Sequence, residues 1–246
     1  MSTPNPKVIF RKYSFLFFLI AFLFSISLFS CKHDEIVEPD QSEELRYFPV
    51  YTGYWIEYKA DSIVHLDSDD QDSVDTAINF YHFLIREVVD SSYIDAEGRK
   101  SFVIIRYKRD FDTIPWVLSN VWTASIDPYS VQRVEDNIRF IRLKFPISSS
   151  TFWNGNALNF FPAEEYSYSN LYISKRYDDL DFDSTITVIQ NDFVSNINRI
   201  IKNETYGAGT GLLFKQVDSV RTLNVGGSTI ILNGFEYKQQ ITGYKY

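Results

Sequence analysis

The stretch "YWIEYKADSIVHL", Tyr54 to Leu66, alternates with a period of two. Tyr54, Ile56, Tyr58, Ala60, Val64 and Leu66 fall on one side, and Glu57, Lys59, Asp61 and His65 on the other. Successive side chains take opposite sides only in an extended strand, and burial of one side only is typical of antiparallel sheets. "GFEYKQQITGY" repeats the pattern near the C-terminus, with Phe235, Tyr237 and Ile241 opposing Glu236, Lys238, Gln240 and Thr242.

Short β-branched and aromatic runs predict further strands at 77–89, 101–108, 115–124, 137–145, 184–190, 196–205, 211–223 and 228–232. Turn signals separate them: "DAEG" at Asp95 to Gly98, "NG" at Asn154-Gly155, "GG" at Gly226-Gly227 and "NG" at Asn233-Gly234. Such dipeptides suit the positive φ angles of tight hairpins. Phe193, Ile197, Ile200 and Ile201 also fit a helical stripe, but strand is favoured there. The connections are too short for crossover helices, and so many strands do not stay flat. The expected fold is therefore all-β: a single curved antiparallel meander sheet, open or closing toward a barrel. The strands at 77–89 and 101–108 are apolar on both sides, which calls for a second layer or a lined cavity.

The chain opens differently. Lys7, Arg11 and Lys12 precede "SFLFFLIAFLFSISLFS", residues 14–30, which is apolar apart from four serines. This is the layout of an export signal, and an uncleaved membrane anchor is the alternative. "LFSC", Leu28 to Cys31, resembles the lipobox of bacterial lipoprotein signal peptides. The resemblance implies that the Cys31 thiol receives a diacylglyceryl group, that the leader is cut after Ser30, and that the new amine is acylated. Two or three chains exceed the marginal anchoring of one, at about 0.8 kcal/mol per buried CH₂. "CKHDE" is similar to the export signals of surface lipoproteins of Bacteroidota. The implied address is the outer membrane, lipid-anchored at the cell surface, with a periplasm-facing orientation as the alternative.

Three segments follow: a lipoprotein signal peptide at 1–30, the acylated Cys31 with an acidic tether at 31–45, and a β-rich domain at 46–246. Cys31 is the one cysteine of the chain, which excludes an internal disulfide and any multi-cysteine metal site. The 24 Lys and Arg stand against 32 Asp and Glu, a net charge of −8. Without the three leader cations the balance is 21 against 32, or −11. No basic cluster interrupts this acidity, so nucleic acid is not an expected partner.

"YFPVYTGYWIEY" at Tyr47 to Tyr58, "RVEDNIRFIRLKFPI…FWNGN" at Arg133 to Asn156, and "ETYGAGTGLLFKQ" at Glu204 to Gln216 stand out. In this order they resemble a group of Bacteroidota lipoproteins with a Y-F-P-x₅-W opening, a W-N-G-N element and a late Y-x-x-G-x-G-L. No activity is attached to that group, so the resemblance implies an address and no mechanism. Physically, Pro49 and Gly53 set a turn before the first strand, Trp55 covers an end of the core, and Asn154-Gly155 closes a hairpin. Gly207, Gly209 and Gly211 precede a strand, not a helix, and so mark a close backbone approach, not a phosphate loop.

Chemistry is sparse. His33, His65 and His82 have no partner at metal-ligand spacing, with His33 exposed and His82 at a hydrogen-bonded edge or in the core; no metal or other cofactor is expected. No G-x-S-x-G, H-E-x-x-H or P-loop occurs. "DSDDQDSVD", Asp67 to Asp75, lacks the glycine and glutamate of a calcium loop. Asp179, Asp181 and Asp183 share one strand face, where solvent exposure is the cheapest arrangement. Asp-Ser/Thr pairs ahead of aliphatic residues or threonine resemble the O-glycosylation acceptor of Bacteroidota, and Ser73 and Thr76, in the most polar loop, are the candidate sites. The aromatic-rich "FWNGNALNFFPAEEYSYSNLY" is expected to cap the open end of the sheet, or to form a recognition surface. These features predict a non-enzymatic domain that binds an unknown protein, glycan or lipid ligand. A carrier of lipid or lipoprotein with an apolar cavity, and a hydrolase, are the alternatives.

Overall fold

The structure, a computed structural model, describes residues 42–66, 78–110 and 112–245. They form one compact unit. It opens with a helical turn, α1 (Ser42–Leu45), which occupies the end of the segment assigned to the tether. Twelve strands follow: β1 (Trp55–His65), β2 (Ile78–Ile94), β3 (Lys100–Arg109), β4 (Val117–Asp127), β5 (Ser130–Glu135), β6 (Ile138–Lys144), β7 (Phe152–Asn154), β8 (Glu165–Tyr177), β9 (Leu180–Val194), β10 (Asn198–Gly207), β11 (Gly211–Val225) and β12 (Ser228–Lys245). Every pairing is antiparallel, and the order is β6-β5-β4-β3-β2-β1-β12-β11-β10-β9-β8-β7. The first strand pairs with the last, and the two edges, β6 and β7, face each other across a seam. The meander is thus a barrel closed everywhere except at one joint, which removes most of the exposed edge an open sheet would carry.

The seam is bridged without a ladder. Ile141 N–H donates to Gly155 O at 3.0 Å, and Trp153 Nε1–H donates to Ile141 O at 2.9 Å. The Tyr168 hydroxyl donates to Lys144 O at 2.8 Å and accepts from Lys144 N–H at 3.0 Å. Gly155 leaves room for the Tyr166 ring, since a Cβ there would lie 2.2 Å from it. The Asn154-Gly155 pair therefore does not close a tight hairpin as expected: it ends β7 and shapes the seam.

The expected alternation of β1 holds from Tyr54 to Ala60, with Tyr54, Ile56, Tyr58 and Ala60 buried inside, and lapses beyond, where Val64 is half-buried, His65 buried and Leu66 exposed. Trp55 does not cover the core end; it lies on the outer face beneath the Arg86 guanidinium, 5.3 Å from its ring. The core end is covered instead by the segment before β1. Tyr47, Phe48 and Tyr54 are buried there, and burying a side chain such as Phe48 contributes about 2 kcal/mol. Tyr47 and Ser184 hydroxyls bond at 2.7 Å, and Ile147 N–H donates to the Glu44 carboxylate at 2.9 Å. The Tyr54 hydroxyl donates to Thr210 O at 2.6 Å, and Gly209 N–H to Arg46 O at 2.8 Å. The first and third landmark motifs thus meet at the closed end, and the second forms the seam.

Gly226-Gly227, with φ of 59° and 85°, makes the expected two-residue hairpin between β11 and β12. Asn233-Gly234 does not turn. It lies within β12 where the β11–β12 register shifts, and the β11 backbone presses against Gly234. The 193–201 region is strand, as favoured. β5, β7 and β8 lie outside the ranges that the sequence runs predict as strand. β8 departs from regular strand geometry at Asn170 and Tyr172, with φ of 48° and 59°, and its pairing with β9 is irregular beyond Ser169. The tip of the β8–β9 hairpin carries Tyr177, whose ring stacks on Phe214 at 6.0 Å, while Lys59 pairs with Asp178 at 2.7 Å. Asp179, Asp181 and Asp183 are exposed on this tip, as expected. No helix among the described residues is long and apolar enough to cross a membrane.

Candidate functional site

Inward positions at the closed end are apolar, as Ile56, Val89, Ile104, Leu143 and Ile186 illustrate. Toward the other end they become charged. Glu87 sits two residues before Val89, opposite Arg106 on β3, and Glu204 lies opposite Lys215 in the β10–β11 pair. Arg133 and Glu135 project from β5, and Arg142 from an irregular position of β6 beside the register shift. Strand periodicity therefore aims these side chains into the lumen.

They form one continuous ion chain. Arg106 Nε is 3.6 Å from the Glu87 carboxylate, whose other oxygen accepts from Arg133 Nη2 at 2.7 Å. Arg133 Nε is 3.5 Å from Glu135, which Arg142 Nη2 meets at 2.8 Å. Arg142 reaches Glu204 at 3.6 Å, and Lys215 closes the chain on Glu204 at 3.1 Å. The sequence of charges alternates, beginning and ending on a cation. Arg106 and Arg133 also lie over the Trp122 ring at 4.4 and 4.7 Å, and the Trp122 indole N–H donates to Asp136 at 3.2 Å. Such contacts hold planar guanidinium groups in fixed orientation.

Burial alone would raise the Glu204 carboxyl, which is 2% exposed, but Arg142 and Lys215 outweigh it and bring the pKa down to about 2. Glu135 is likewise held far below the usual carboxylate range: burial opposes this, and Arg142, Lys215 and Arg133 overcome it. Burial pushes the Tyr206 hydroxyl, which donates to Glu204 at 2.6 Å, well above its ordinary value.

A folded-state pKa below the ordinary 4.5 means that Glu204 stabilises the fold above pH 4.5, and that this contribution is lost as pH falls toward about 2. The melting temperature should hold steady above about pH 5 and fall between about pH 4.5 and pH 3. Glu204→Gln should fall less steeply over that window. An identical acid profile for both proteins would show that the chain does not carry this dependence.

The chain walls two chambers. The first holds ≈ 400 Å³ and is lined by Trp122, Tyr237, Gln239 and the charged groups Arg106, Arg133, Glu87 and Glu135, with Lys108, Ser119 and Asp136 exposed at its rim. The second holds ≈ 710 Å³, lies beside the seam, and shares Arg142 and Lys215 with the first. Its remaining lining comes from Phe140 on β6, Tyr166 on β8, the strands β9 to β12 and the 156–164 loop. Both volumes fall in the range of small-ligand sites.

Cys31, Ser73 and Thr76 lie outside the described residues, as do His33 and the acidic loop Asp67 to Asp75. His65, on the polar face of β1 as expected, is buried and pairs with Glu236 at 2.9 Å. His82 is neither in the core nor at a sheet edge: it is exposed on the outer face and bonds Asp61 at 2.5 Å. Among the described residues no group of three or more His, Cys, Asp or Glu is placed to hold a metal ion. The aromatic segment does not act as one cap. Trp153, Tyr166 and Tyr168 pack at the seam, while Phe160 and Phe161 are exposed on the 156–164 loop beside the second chamber. The lumen charges match no catalytic or metal-binding pattern, and the landmark stretches that contain five of them give no sign that they face inward. The nearest local signal is at Glu87, a charge alternating with the apolar Ile85 and Val89. No family model and no curated protein matches the chain.

Proposed function

We propose that the chain is a lipid-anchored binding protein of the outer membrane, held by acylated Cys31, whose barrel lumen takes up a small polar ligand without chemical turnover. The observation that carries this is the ion chain lining open space inside the barrel. Buried charge is costly even when paired, and a barrel of this size can be filled with apolar side chains, as its closed end is. The same charges disfavour transport of an acyl chain, which needs a dry apolar pocket. They also disfavour hydrolysis, since a general acid requires a raised pKa and Glu135 and Glu204 are held ionised by Arg142 and Lys215. Ser73 and Thr76 remain proposed O-glycosylation sites.

The anchor is tested by fractionating cells that carry Cys31→Ala. The variant should leave the membrane pellet and lack the acyl mass, whereas continued acylation and membrane retention would contradict lipid anchoring at this residue. The ligand half is tested by whether small polar solutes reach Trp122.

A further inference from the structure

The second chamber combines features that the first does not. Arg142, Lys202 and Lys215 line it with Glu164, the single acid among its described lining residues, while Glu204, outside that lining, pairs with Arg142 and Lys215. Lys202 Nζ bonds Glu164 at 2.7 Å, so the one carboxylate is already engaged. Gln190 also lines the chamber; it is 4% exposed, and its amide nitrogen has no hydrogen-bond partner. An orphaned buried donor costs roughly 1–3 kcal/mol unless something supplies an acceptor. The second chamber thus offers one unpartnered amide donor, Gln190 Nε2, and two ammonium groups, Lys202 and Lys215, that each carry N–H donors beyond their ion pairs at 2.7 and 3.1 Å.

An aromatic wall completes the second chamber. Phe140 and Phe161 stack at 6.3 Å with an interplanar angle of 24°, and Phe161 is partly open to solvent. An aromatic face packs the C–H face of a sugar ring, the amides suit hydroxyl groups, and the cations suit a carboxylate or sulfate. We infer that this chamber binds an anionic sugar, its ring against Phe161 and its charged group toward Lys202 and Lys215. The inference rests on the lumen being a binding space, and adds the ligand class and the chamber.

The test is calorimetric titration of the full acylated protein in detergent with D-glucuronate, glucose 6-sulfate, D-glucose and D-glucosamine, each up to about 10 mM. Glucuronate or the sulfate should bind at least about tenfold more tightly than glucose, and whichever binds more tightly identifies the charged group. Lys202→Gln should lose about tenfold for the anionic sugar and leave glucose unchanged, whereas Phe161→Ala should weaken every sugar. Both side chains are partly exposed, so the variants keep the fold. Arg176→Gln, exposed at the β8–β9 tip and outside both chambers, should change nothing, and Lys108→Glu reports on the first chamber. Equal binding of glucose and glucuronate, or preference for glucosamine, would overturn the anionic class while leaving a binding lumen. Sensitivity to Lys108→Glu alone would overturn the assignment to this chamber. No heat from any sugar would overturn the inference, while solute access to Trp122 separately decides whether the lumen is a binding space.

Discussion

Replacing Arg142 by alanine is expected to destabilise the barrel by about 3–5 kcal/mol, because it leaves two buried carboxylates without their shared counter-ion. Glu135 loses its 2.8 Å partner, and Glu204 keeps only Lys215 and the Tyr206 hydroxyl. For a domain of this size the melting temperature should fall by about 10 °C. Phe140 also loses the guanidinium 4.4 Å from its ring, a smaller effect. The cost lies in the unpaired charge more than in lost attraction, so neutralising the acids should restore the fold. Arg142→Met combined with Glu135→Gln and Glu204→Gln should recover most of the stability. If the triple variant is no more stable than Arg142→Ala, side-chain packing and not charge pairing explains the loss.

Gly234→Ala is the second large effect, at about 3 kcal/mol. Gly234 has φ of 120°, which side chains rarely adopt, and a Cβ there would lie 2.2 Å from Ser219 O and 2.7 Å from Val220 Cα. Backbone cannot yield as a flexible side chain can, so β11 and β12 must part or shift. A shift would carry Tyr237 and Gln239 away from the lumen, where the Tyr237 hydroxyl donates to Gln239 at 2.7 Å. Gly227→Ala is the control: it also has positive φ but meets open space, and should cost only about 1 kcal/mol. Equal melting temperatures for the two variants would refute the close approach.

The two positions also show what local sequence can and cannot reveal. Gly226-Gly227 and Asn233-Gly234 look alike as turn signals, and only the first turns. What separates them is the neighbouring strand: β12 runs unbroken past Gly234 because β11 lies against it, a contact made by residues 14 and 15 positions earlier. The period of two in Tyr54 to Ala60 named the buried face correctly because it depends on the strand alone. β8 escaped notice because serine and asparagine interrupt its tyrosines, and because the chain kinks at Asn170 and Tyr172. Barrel closure likewise depends on a joint between Ile141 and Gly155 that no local pattern encodes.

The lumen followed the same division. Phe83, Ile85 and Val89 share the inward face of β2 with Glu87, but that strand is apolar on both sides in the sequence, so its periodicity does not single out the face. Nor does any local pattern indicate that Arg133, 46 residues onward, meets the Glu87 carboxylate. Two of the three landmark motifs contain lumen charges, Arg133, Glu135 and Arg142 in one and Glu204 and Lys215 in the other. Their role emerged only once the topology brought the two segments together across the barrel.

A lumen open to small polar solutes is the claim on which the proposed function stands, and paramagnetic broadening of the tryptophan indole N–H resonances tests it directly. Trp122 and Trp153 are both 7% exposed, but Trp122 lines the first chamber and Trp153 packs in the seam. A carboxylate-bearing nitroxide should broaden Trp122 strongly and leave Trp153 sharp, and a cationic nitroxide should broaden Trp122 less. Equal protection of Trp122 and Trp153 from both probes would mean a sealed interior and would contradict a ligand-binding lumen.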